Sequence, residues 1–137
     1  MYLIGFPLLV VPFAVYNMIA FLMPGLAWTG NVATIHLISG QDWTVTPEDI
    51  LLAFAILLLS VEIMKATRLS SRAIIDHVLS LIVFIIMLVE FLLVRQAGTS
   101  TFFLLMVISL VDVMAGFIVT VRTAQRDLQI ERVEPSM

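Results

Sequence analysis

Four apolar runs, each about as long as a bilayer is thick, alternate with short polar breaks along the chain. They cover roughly residues 2–23, 47–68, 72–95 and 100–122. About 20 residues of helix, each rising ~1.5 Å, cross a hydrocarbon core about 30 Å thick. The pattern therefore predicts an all-α, polytopic integral membrane protein with four transmembrane helices. These form one domain over 1–128, followed by a polar C-terminal tail over 129–137. The first run reads as a retained helix rather than a signal peptide. No Lys or Arg precedes it, it is longer than a typical signal core, and Pro24-Gly25-Leu26-Ala27 lacks the small-x-small cleavage pattern. Pro12 within this run is expected to leave the Leu8 carbonyl without its helical donor and to bend the helix there.

The breaks between runs carry their own signals. Thr46 suits a helix cap, Pro47 the first helical position, and Glu48 and Asp49 the positive end of the helix dipole. Ser70 and Ser71 allow only a tight turn between the second and third runs, which predicts an antiparallel pair. Gly98 is a stop signal, and Thr99 or Ser100 can cap the fourth run. The one long connection, 24–46, has two readings. Ala33–Ile38 and Trp43–Thr46 can form a short β-hairpin around Ser39-Gly40-Gln41-Asp42, or the segment is an irregular interfacial loop. In either case Trp28 and Trp43 are expected to anchor it at the headgroup layer.

Composition supports the bilayer. Of 137 residues 61% are apolar and 12% charged, and the mean hydropathy is +1.12. A net charge of −3 from seven basic and ten acidic residues offers nothing to nucleic acid, and with no cysteine there is neither a disulfide nor a thiolate site. Placement matters more than the sum. Lys65, Arg68 and Arg72 surround the second turn and Arg122, Arg126 and Arg132 follow the last run, whereas the first loop has no Lys or Arg. The bias predicts both termini on the cytoplasmic side. A bacterial inner membrane is the expected location, with the first and third loops facing the periplasm.

Ionisable residues inside the runs are the candidates for chemistry, because a bilayer penalises charge. Asp112 lies about 18 Å along its helix from Ser100 and about 15 Å from Arg122, close to the midplane. Ser109, Asp112, Gly116 and Thr120 form one polar, small-residue stripe at spacings of three and four. By depth, Asp112 falls level with Ser60 and near Pro12, so it is expected to be buried, mainly neutral, and to donate to Ser60 or to the Leu8 carbonyl. Asp76, Ser80, Met87 and Glu90 make a second stripe on the third run. Nearer the cytoplasmic turn, Glu62, His77, Asp76 and Arg72 form a candidate interfacial charge cluster. Within it a Glu62–His77 pair competes with the local pairs Glu62–Lys65 and Asp76–Arg72.

No Gly-rich phosphate loop, His-Glu-x-x-His zinc helix or Gly-x-Ser-x-Gly elbow occurs, and His36 and His77 are too few and too far apart to hold haem. No enzyme activity, cofactor or metal is expected. The sequence leads to a structural or accessory membrane component that associates through its helices, as a homo-oligomer or within a larger integral complex. The alternative is a small oligomeric ion channel or proton/cation-coupled transporter using Asp112.

Overall fold

The computed structural model describes residues 7–67 and 71–133. It is mostly helical: α1 spans Val10–Leu22, α2 Pro47–Ala66, α3 Ser71–Leu93 and α4 Ser100–Val133, with a short two-stranded sheet between α1 and α2. α4 is the centre of the packing, lying along both α2 and α3, which touch each other only slightly. A 3-10 turn over Arg95–Ala97 joins α3 to α4.

Two of these helices are long and apolar enough to cross a membrane, through Ile74–Leu93 and Ser100–Arg126. The first and second runs fall short of that standard for different reasons. α1 has 13 residues, or about 20 Å of helix. α2 has 20, but Glu48, Asp49, Glu62 and Lys65 interrupt its apolar character.

α1 starts later than its apolar run because Pro7, Leu8 and Leu9 form a turn ahead of it. Pro12 consequently falls in the first helical turn, where a missing N–H costs little because no partner within the helix awaits it. The expected free Leu8 carbonyl does not arise, since Val11 N–H donates to it at 3.0 Å. α2 begins as the sequence predicts. Thr46 Oγ1 accepts from Asp49 N–H at 3.1 Å, and the Asp49 carboxylate accepts from Thr46 N–H at 3.0 Å, a reciprocal capping box with Pro47 behind it. Thr99 caps α4 by accepting from Phe102 N–H at 3.2 Å. The expected Ser70 turn and Arg68 lie outside the described residues.

The long connection is a hairpin. β1, Ala33–His36, pairs antiparallel with β2, Asp42–Val45, in the register Ile35 opposite Trp43 and Thr34 opposite Thr44. Its turn needs a backbone with positive φ, and Gly40 supplies it at 93°. The register sorts the side chains: Ala33, Ile35, Trp43 and Val45 share one face, while Thr34, His36, Asp42 and Thr44 share the other. His36 Nδ1 and Asp42 Oδ1 are paired on the polar face at 2.7 Å.

At the hairpin end the core is aromatic. Tyr16 is fully buried, stacked on Trp28 with ring centroids 4.8 Å apart and edge-on to Phe102 at 5.0 Å. Its hydroxyl donates to the Gln96 carbonyl at 2.8 Å and lies 2.7 Å from Thr99 Oγ1, tying α1 to the turn before α4. Trp28 is half-buried. It packs against the core because α1 presents the flat Tyr16 ring to it. Trp43 is exposed.

Candidate functional site

At the other end of the bundle the core turns polar. Glu62, Asp76, Ser80, Ser109 and Asp112 are all buried, from three different helices. The helical repeat explains why they converge. On α3, Asp76, Ser80, Val83 and Met87 follow one another at spacings of four, three and four and all point inward. On α4, Leu105, Ser109, Asp112 and Gly116 do the same. α2 contributes Leu51, Ala55 and Glu62 from its own inner face.

Lys65 organises the acids. Its Nζ lies 3.0 Å from Glu62 Oε1 on its own helix and 3.2 Å from Asp76 Oδ2 on α3, with only 9% of its side chain exposed. The expected Glu62–Lys65 pair is present. Asp76 pairs across helices with Lys65, and the Arg72 side chain lies outside the described residues. Glu62 Oε1 also accepts from the Leu8 backbone N–H at 2.7 Å. That N–H precedes α1 and has no helical acceptor, so the turn that shortens α1 also aims a donor at the carboxylate. Lys65 and its two carboxylates thus tie α2 to α3 and to the turn ahead of α1.

Asp112 stands beside this pair, hydrogen-bonded to Ser80 and within electrostatic reach of Glu62, Asp76 and Lys65. The sequence expectation of Ser60 as its partner is corrected. Ser60 is exposed, and its hydroxyl donates to the Ile56 carbonyl at 3.3 Å. Depth along the helix was the right measure of level but not of direction. Ser60 is two residues from Glu62, about 200° around a helix of ~3.6 residues per turn, so turning Glu62 inward turns Ser60 out.

A small cavity, ≈ 20 Å³ measured by where the centre of a water molecule fits, is lined by Glu62, Asp76, His77, Ser80, Asp112, Gly116 and Thr120. Asp112 and three members of the expected interfacial cluster, Glu62, Asp76 and His77, therefore line a single site. His77 does not join Glu62; among the described residues no hydrogen bond connects them, and His77 Nδ1 is buried without a partner. The ring rests instead against Gly116, where an added Cβ would meet Nδ1 at 2.7 Å. Thr120 closes its hydroxyl onto the Gly116 carbonyl at 2.7 Å. Ser109 is buried one turn toward the core.

Two participants had little or no signal in the sequence. Lys65 is legible in the sequence only as a partner of Glu62 three residues away, and the approach of α3 makes it a bridge to Asp76. The Leu8 N–H carries no side-chain signature at all. A second polar contact, Asn17 with Glu90, joins α1 to α3 near the aromatic end, and Asn17 Nδ2 also donates to the Phe13 carbonyl at 3.1 Å. No protein-family model, curated protein or solved structure matches this chain.

Proposed function

We propose that the chain is a small integral membrane protein of four spans that serves as a structural or accessory component, associating through its helices with copies of itself or with a larger membrane complex. The observation that supports this is the inverted character of the bundle. Large apolar side chains are exposed on every helix, among them Leu22, Leu57, Met64, Leu93 and Phe117 at 60% or more. The buried end, by contrast, is filled with charge. A water-soluble monomer rarely shows apolar patches beyond a few hundred Å², and lipid or partner helices are the surroundings that suit such a surface. α2 fits a span despite its charges, because Glu62 and Lys65 neutralise each other inside the bundle and Glu48 and Asp49 sit at its first turn. Small residues on α4, Gly116 among them, suit close helix association.

Purification in mild detergent tests this reading. Co-isolation with one stoichiometric membrane partner, or a stable homo-oligomer, is the expected result; a monomer soluble without detergent would overturn it. Reporter fusions test the topology. A reporter after residue 132 is expected to read as cytoplasmic and one near Ser39 as external.

A second reading, a small oligomeric channel or proton/cation-coupled transporter, is favoured by one observation: carboxyl groups from three helices line a single cavity. Ion flux in proteoliposomes that Asp112→Asn abolishes would establish it.

A further inference from the structure

The cavity between α2, α3 and α4 has more acid than base. Among the described residues Glu62, Asp76 and Asp112 contribute three carboxyl groups, and Lys65 is the cation within their reach, facing Glu62 and Asp76 directly. α1 contributes only the Leu8 N–H, and α3 adds the His77 ring. With all three carboxyls ionised, the described residues would set one cation against three anions in an apolar bundle, an arrangement a bilayer penalises heavily.

The hydrogen bonds show where the deficit lies. Glu62 Oε1 already accepts two donors, Lys65 and Leu8. Asp76 is 8% exposed, and while Oδ2 meets Lys65, its other oxygen, Oδ1, is buried with no partner. His77 Nδ1 is likewise buried and unpartnered. Both atoms belong to residues lining the same cavity, whose ≈ 20 Å³ matches one water molecule. Asp76 Oδ1, a carboxylate oxygen, requires a hydrogen-bond donor, and His77 Nδ1 requires one when its ring proton is on Nε2. A metal ion suits them poorly, since among the described residues no group of three or more His, Asp or Glu is arranged to hold one.

We propose that this cavity is a proton-binding site. One proton resides on the Asp112 carboxyl and is shared with Asp76 through a single water, while Glu62 and Lys65 stay ionised and paired beside it. With the His77 ring proton on Nε2, the water accepts from the Asp112 O–H and donates to Asp76 Oδ1 and His77 Nδ1, which satisfies both unpartnered atoms. Proton transfer along this chain moves the proton from Asp112 to Asp76 and leaves the total charge unchanged. The proposal uses the same residues as the transport reading but does not depend on flux. A protein that binds the proton and moves no ions retains the site and loses only that reading.

Infrared spectroscopy of the full chain in phosphatidylcholine vesicles tests it. At neutral pH the wild type is expected to show a protonated-carboxyl stretch that shifts in deuterium oxide. The band should be lost in Asp112→Asn, retained in Glu90→Gln, and unmoved by sodium or magnesium ions. Asp76→Asn should keep the band but shift its frequency, and this variant serves as the test should Asp112→Asn fail to fold. The site is overturned if the wild type lacks the band, if Asp112→Asn folds and keeps it, if it disappears in Glu90→Gln, if Asp76→Asn leaves its frequency unchanged, or if a metal cation abolishes it.

Discussion

The two ends of the bundle solve the same packing problem with opposite chemistry. Near the hairpin, α1 is held by ring faces: Tyr16 between Trp28 and Phe102, with one hydroxyl reaching the turn before α4. At the far end it is held by a backbone N–H on a carboxylate that is itself ion-paired. At the aromatic end both partners of the Tyr16 hydroxyl are in place, and the unpaired buried atoms there, Asn17 Oδ1 and Glu90 Oε2, lie on one contact between α1 and α3. The polar end is charged and leaves Asp76 Oδ1 and His77 Nδ1 unpaired. A fold that needed only stability could have used rings at both ends, since replacing buried ion pairs with apolar groups is often neutral or stabilising. What sets the polar end apart is that its two unpaired atoms line one cavity together with the carboxyl groups of three helices.

The sharpest way to separate the ends is to remove one keystone from each. Lys65→Met leaves two buried carboxylates without their cation and is expected to cost about 3–5 kcal/mol. Phe102→Ala should cost a similar ~3–5 kcal/mol through lost burial and a cavity. Denaturation in mixed micelles measures both, and pH distinguishes them. The Lys65→Met penalty should shrink as pH falls and protons discharge the stranded carboxylates, whereas the Phe102→Ala penalty should not change. Equal pH responses would erase the distinction between the ends.

Gly116→Ala is expected to cost about 1–3 kcal/mol, because its Cβ would collide with the His77 ring and the packed helices resist shifting. Combining it with His77→Ala should recover most of that loss, and a double-mutant cycle with no coupling would show that the ring does not rest there. Tyr16→Phe keeps the stack and removes the hydroxyl, for an expected loss of about 1–1.5 kcal/mol. The smallest effect belongs to Ser60→Ala, expected within about 0.5 kcal/mol because its hydroxyl is exposed and bonds only within its own helix. A large effect there would restore Ser60 to the polar site.

Much of this architecture was legible in the residues themselves, because its causes are local. The box at Thr46 and Asp49 needs only neighbours three apart, the hairpin turn needs a residue that tolerates positive φ at Gly40, and the inward stripes on α3 and α4 follow the helical repeat. These features depend on atoms within a few residues, and the sequence contains all of them. What only the tertiary structure decided was direction and approach: that α2 turns Glu62 inward and Ser60 out, that Lys65 reaches across to Asp76, that Trp28 meets Tyr16, and that the Leu8 N–H meets Glu62. Each depends on how one helix is rotated and placed against another. That arrangement minimises the energy of the whole packed set, which the order of residues along one helix does not encode.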